Sequence, residues 1–355
     1  MRTATYRLLA FALLALAVPA NELAPDVLLE GAHWKRLRAV AEQKVKANPN
    51  DAAGQYYLAR IKFEQGDLDG ALPVAEKAAA LDPKNADCRY VIAGIYGRKA
   101  ESAGVFSQFG LARRYKKEAE ATIVINPLHI DARVGLMQFH LRAPGIVGGD
   151  KKMADQYINE IMRIDASRGY LAQAIKANIE KQPALLEGLY LKAVEANPKN
   201  YSALISLASF YLGDQQKKYD VAEKHLQEAL KVDPERTNAY SRLASLYAFQ
   251  TRWQDLDTII PQAEKAVPDN LMPYYTAGRT LTASGKDNAR AERYFQKYLS
   301  IEPEINFPTH AHAHWQLGLL YEKMGRKADA IRELETALRL KPDFEEAKKD
   351  LKRLK

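Results

Sequence analysis

Residues 311–342 read AHAHWQLGLLYEKMGRKADAIRELETALRLKP. Two helical patterns stand either side of Gly325. The first carries Ala311, Leu317, Gly318 and Tyr321, and the second carries Ala330, Leu334 and Ala337. Apolar and small residues three, four and seven apart lie on one face of a helix. Glycine supplies the turn between the two, and Pro342 stops the second because proline cannot extend the hydrogen-bond ladder. The stretch is a helix–turn–helix unit. Its small residues fall where the two helices would cross.

The same spacing returns along most of the chain, with a period of about 34 residues. Copies fall at 52–85, 86–127, 130–166, 167–198, 201–234, 237–268 and 271–303, ahead of the one at 311–342. Ala59, Ala71 and Ala78 mark the first, and Ala208, Ala222 and Ala229 mark the fifth. The sixth has Leu256 where the others have a small residue, and the fourth is weak in its first half. No sustained alternation or Asn-Gly turn suggests a strand.

The period and residue classes resemble the tetratricopeptide repeat (TPR). That resemblance implies an all-α, right-handed α-solenoid of about eight helix pairs with terminal capping helices. Residues 21–51 read as an N-terminal helix or cap, 52–198 as repeats 1–4 and 199–303 as repeats 5–7. Residues 304–310 read as a linker, and 311–355 as repeat 8 with a C-terminal capping helix. Asp165 to Gly169 replaces a clean proline stop and is the expected place for a bend.

Residues 1–20 are of another kind. Arg2 and Arg7 precede an apolar run from Leu8 to Val18, and Pro19 and Ala20 follow. This is the pattern of a secretory signal peptide cut after Ala20, and the run is well short of the roughly 20 residues that span a bilayer. The mature chain is expected to be periplasmic or secreted, without a stable membrane anchor. Its formal charge falls from +8 to +6 with the loss of the two arginines. Both signs alternate along the helices, which is a solvated surface rather than a nucleic-acid stripe. Cys88 is the only cysteine, so no internal disulfide can form, and it reads as a small core residue.

Two insertions interrupt the period, at 101–110 and 143–150. The first holds Phe106 and Phe109 and is expected to pack back on the array. The second, Ala143-Pro-Gly-Ile-Val-Gly-Gly-Asp150, reads as an ordered turn before a capped helix. Its successive glycine amides leave an anion site as the alternative. The segment resembles one in the TPR subunit of tripartite ATP-independent periplasmic transporters, which implies an extracytoplasmic, non-enzymatic protein.

TPR arrays bind through the inner face of their first helices. Counting from each repeat start, the inward positions are Tyr56, Arg60, Phe63, Tyr90, Arg98, Gln138, Arg142, Tyr275, Arg279, His312 and Trp315. Aromatics and arginine anchor interfaces, and four arginines suit an acidic peptide or protein partner. The Lys/Asn carboxylate clamp of chaperone-binding TPR domains is absent, since Tyr56 and Arg60 stand in its place. His310 and His314 share a helix face but lack a third ligand. No nucleophile, zinc-hydrolase or phosphate-loop motif occurs.

The expected function is therefore a non-enzymatic exported scaffold binding protein or peptide in its concave groove, with no cofactor and no metal. A periplasmic ligand-handling accessory of a transporter is the alternative. A metal-dependent enzyme built on His310 and His314 is the remote one.

Overall fold

The computed structural model describes residues 23–355. The expected leader at 1–20 lies outside the described residues. Nineteen α-helices and no strand occur in the described residues. A short α1 (Pro25–Glu30) and α2 (Trp34–Ala47) lead in. Eight helix pairs follow. They are α3 (Ala52–Glu64) with α4 (Leu68–Leu81), α5 (Ala86–Ser102) with α6 (Val105–Ile125), α7 (Ile130–Arg142) with α8 (Lys151–Ile164), and α9 (Ala166–Ile179) with α10 (Leu186–Ala196). Then come α11 (Tyr201–Leu212) with α12 (Tyr219–Val232), α13 (Thr237–Gln250) with α14 (Trp253–Ala266), α15 (Met272–Ser284) with α16 (Asn288–Tyr298), and α17 (His310–Lys323) with α18 (Lys327–Leu340). The array ends in α19 (Glu345–Leu354). This is the all-α solenoid that the repeat period implies.

Local chemistry sets the boundaries. At several junctions a proline two residues before a polar cap separates one pair from the next. Asp51 after Pro49 accepts from Gly54 N–H at 2.6 Å, and Asn200 after Pro198 accepts from Ala203 N–H at 3.1 Å. His129 after Pro127 accepts from Ala132 N–H through Nδ1 at 3.0 Å. Each such bond satisfies an amide that the helix start leaves open. Pro49 also ends α2, so α2 stands where a repeat's second helix stands. Within pairs, Gly66, Gly285 and Gly325 turn the chain in the left-handed region, and Thr251 does so between α13 and α14.

Packing follows from the small residues. Ala59, Ala71, Ala208, Ala222, Ala244, Ala291 and Ala330 are fully buried at the helix crossings. Leu256 is also fully buried in its exceptional place. Beside it, α13 packs more closely on α15 than on its own partner α14. Ser245 and Thr280 join these two helices at 2.8 Å, and Thr276 donates to the Ser241 carbonyl at 3.1 Å. Cys88 is a buried core residue, and burial pushes its thiol up to about 12.

The departures resolve individually. The extra residues at 101–110 lengthen α5 and α6, which meet at Ala103-Gly104. Tyr115 fills the space that Gly97 leaves, where an added Cβ would lie 3.2 Å from the ring. The fourth repeat's first helix is regular. Asp165 both ends α8 and caps α9 through Arg168 N–H at 2.9 Å, so the junction has no linker at all.

Candidate functional site

The first of the expected positions lie on α3 and α5. Glu64 accepts from Arg60 at 3.3 Å and from Arg98 at 3.4 Å. Arg98 also donates to the Phe63 carbonyl at 2.6 Å, with its guanidinium 4.0 Å from the centre of the Phe63 ring. Both arginines are therefore engaged within the fold, and neither is a free cation awaiting a carboxylate. Tyr56 is half-buried and 5.3 Å from the Tyr57 ring. Tyr90 donates to the Asp131 carbonyl at 2.9 Å and packs 5.0 Å from His129. Burial pushes its hydroxyl up to about 12, so it stays a neutral donor.

Three of the expected positions lie elsewhere. Tyr275 is buried between the rings of Phe295 and Tyr298, at 5.8 and 5.1 Å. His312 closes the capping box of α17, accepting from Thr309 N–H at 3.1 Å. Trp315 donates to Asp350 of α19 at 2.9 Å. His312 and Trp315 pack on Phe344 at 4.8 and 5.3 Å. At the last repeat those positions meet the capping helix, so position counting mistakes a seal for a groove. Gln138 is half-buried on α7, while Arg142 and Arg279 are exposed. Among the described residues the two arginines make no ion pair.

His310 and His314 have separate partners. His310 donates to the Ile301 carbonyl at 2.8 Å, and His314 meets Glu333 at 2.6 Å. No group of three potential ligands occurs among the described residues. In the 143–150 turn, the N–H groups of Val147 and Gly149 both reach the Pro144 carbonyl, Gly148 N–H reaches Gly145, and Asp150 N–H reaches His140. Those four amides serve the turn itself and are not turned toward an anion. His140 beneath them is buried, and burial, aided by Lys116, lowers its pKa. The cleft beside the turn, about 390 Å³, is lined by Leu141, Lys151, Ile179, Glu180 and Gln182, and exposed Lys151 and Gln182 leave it open to solvent, so it does not enclose a ligand.

The contacts that sequence reading missed join the start of the array to the connections on either side of its seventh helix pair, and to Arg236 just before the sixth. Arg36 donates to both carboxylate oxygens of Asp269, at 2.8 and 3.0 Å, and His33 lies 3.4 Å from the same group. Lys35 Nζ donates to the Asp269 and Glu302 carbonyls at 2.8 and 2.6 Å. Lys35 N–H donates to Glu304 at 3.2 Å. Ile305 packs on the cluster of Leu28, Trp34, Leu37, Tyr57 and Ile61. Asn306 donates to Glu64 at 2.9 Å, and Arg236 reaches Glu30 at 3.3 Å. The solenoid closes on itself through this clasp. In sequence only Pro303 and Pro308, which bound the connection, set it apart from the repeats.

Titration of the clasp has a definite sign. Glu304 is 3% exposed. Burial pushes its carboxyl up to about 7, against the charge and N–H of Lys35, with Asp269 adding to the rise and His33 opposing it. A raised carboxyl favours the closed form when protonated. Its contribution is full below the ordinary carboxylate value and is lost as pH rises through about 7. Asp269 is also disfavoured by burial, but its bonds from His33 and Arg36 outweigh that and hold it well below the ordinary range. It therefore stays ionised between pH 5 and 8, where Glu304 titrates. We expect the clasp to be tighter at pH 5 than at pH 8, with Glu304→Gln removing most of that slope. Small-angle scattering of both chains at the two pH values checks this, and equal slopes refute it.

Comparison with known proteins agrees with the geometry. The tetratricopeptide repeat family matches residues 31–86 and 311–344. No curated protein matches the chain. Among solved structures, yeast Tom70 is 14% identical over 93% of this chain and 79% of its own, with a TM-score of 0.51. Pseudomonas aeruginosa pilF is 17% identical over 66% of this chain and 97% of its own, with a TM-score of 0.41. A human IFIT1 dimer with m7Gppp-AAAA is 16% identical over 91% and 86%, with a TM-score of 0.46. The likeness to Tom70 is one of fold, shared at low identity. With eight helix pairs, small residues at their crossings and matches at both ends, the chain is a tetratricopeptide-repeat protein, a scaffold for protein–protein contact.

Proposed function

We propose that the chain is an exported scaffold that holds an acidic segment of a partner protein on its inner face, through Arg142 and Arg279. One observation carries this. Both guanidinium groups are exposed and make no ion pair among the described residues, whereas Arg60 and Arg98 are held by Glu64. An unpaired arginine is a ready bidentate partner for a carboxylate. The export half of the reading rests on Arg2, Arg7 and the Leu8–Val18 run. A ligand-handling accessory of a transporter is the lesser reading, because it needs an enclosed pocket near 142–154 and the cleft there is open.

The test uses the exported chain as bait in an envelope extract. Intact mass is expected to place its first residue at Asn21. Arg142→Glu with Arg279→Glu is expected to weaken capture of the acidic partner about tenfold, since losing two charged contacts exceeds 1.4 kcal/mol. Undiminished capture by the reversed chain sinks the arginine assignment. A retained leader sinks export.

A further inference from the structure

We propose that Glu304-Ile305-Asn306 is the built-in occupant of a peptide-docking site on α1–α3, and that an extended partner segment of the same chemistry displaces it. That chemistry is a carboxylate, then an aliphatic side chain, then a carboxamide.

The site is made by the helices, not by its occupant. His33 stands at the N-cap of α2 and its side chain gives no capping bond. The early amides of a helix need an acceptor, and its N-terminus favours negative charge. Glu304 supplies the acceptor, taking Lys35 N–H across a sequence separation of 269 residues. Lys35 adds cationic charge beside it, while Arg36 is taken up by Asp269. Next to this carboxylate seat is an apolar patch. Leu28, Trp34, Leu37, Tyr57 and Ile61 all come from α1–α3 and are packed together, and Ile305 lies on them only partly buried. Beyond that patch Glu64 takes the Asn306 amide. Three consecutive residues thus meet three consecutive features, a helix N-terminus, an apolar surface and a carboxylate.

The occupant is built to leave. Residues 302–308 hold no helix or strand and lie between α16 and α17, so release unfolds neither. Asn306 sits in the left-handed region at φ 67°, which asparagine tolerates better than most residues. The segment's other side-chain bonds come from two groups, Lys35 Nζ to the Glu302 carbonyl and the buried Tyr298 hydroxyl to the Pro308 carbonyl, each at 2.6 Å. A site occupied in cis shows a partner only its open fraction, so its apparent affinity falls by that fraction. This inference does not depend on Arg142 and Arg279, and the two can fail separately.

The probe is the fluorescent heptapeptide Glu-Pro-Glu-Ile-Asn-Phe-Pro, the sequence of residues 302–308. It is titrated by anisotropy against the full chain and against Ile305→Asp. The variant is expected to bind the peptide about tenfold or more tightly than the unaltered chain. A peptide with aspartate in place of isoleucine is expected not to bind either. Hydrogen exchange supplies a second reading. Lys35 N–H should lose protection in Ile305→Asp and regain it at saturating peptide. Glu304→Ala removes the carboxylate without placing a charge on the apolar patch, and should act in the same direction. If neither variant, at native helicity, gains affinity over the unaltered chain, the proposal is overturned. A variant that instead pairs with a second copy of the chain and ignores the peptide overturns it as well.

Discussion

Ala330→Arg is expected to destabilise the C-terminal end of the array by about 4 kcal/mol or more, as overpacking and an unpaired buried charge combine. Ala330 is fully buried at the crossing of α17 and α18. The approach there is close, for a Cβ added to Gly318 would stand 2.8 Å from Leu334 and 3.3 Å from the Ala330 carbonyl. An arginine at 330 would have to force the helices apart or leave its guanidinium without a partner. In a stacked array each repeat leans chiefly on its neighbours, so the damage should stay near the end. Hydrogen exchange should show protection lost over 310–354 and kept through α11 and α12. A variant with unchanged exchange in α17 and α18 would show that the crossing has room to spare.

The second large effect is expected from the smallest change. Gly149→Ala adds one methyl group, and its Cβ would lie 1.8 Å from the Ala143 carbonyl oxygen. The obstacle is main chain, tied in by Ala143 N–H to Phe139 at 2.8 Å, so it cannot swing aside as a side-chain tip can. The turn must rearrange, which breaks the Gly149–Pro144 and Asp150–His140 bonds at 3.1 Å and unseats the Asp150 cap of α8. A loss of about 3 kcal/mol is expected, in the range of strain and cap mutations. Gly145→Ala is the internal control. Nothing lies within 4 Å of its added Cβ, and its effect should stay within about 0.5 kcal/mol. Urea melts of the two variants compare them directly, and equal midpoints would contradict the close approach.

Much of the fold is legible because its determinants are local. Proline followed two residues later by a polar cap, and glycine between helices, set the boundaries of α3, α4 and α11 without reference to anything distant. The small residues at 59, 71, 222 and 330 are likewise readable, since a crossing leaves no room for more. The insertion at 101–110 shows the limit of period counting. Extra residues in a repeat can lengthen two helices as readily as form a loop. The candidate site was less legible. Position counting finds a face, but it cannot say what else occupies that face. Arg60 and Arg98 are already bound to Glu64. Tyr275, His312 and Trp315 are turned to packing, by the aromatic cluster of α15 and α16 and by α19. The clasp is invisible to periodicity. Its partners lie more than 200 residues apart, and their meeting depends on the summed rotation of all the intervening repeats.

The clasp also bears on how the chain acquires its structure. A solenoid ordinarily gains structure in step with synthesis, because each new unit needs only the one before it. Here α2 receives its N-terminal acceptor, Glu304, only after more than four-fifths of the polypeptide has been made. Contacts of such separation are slow to form, since the ends must find one another against the entropy of a long loop. Formation of the repeats should therefore precede a distinct, late annealing of the two ends. Until then the N-terminus of α2 and the apolar patch on α1–α3 are open to whatever chaperone or partner meets the nascent chain first.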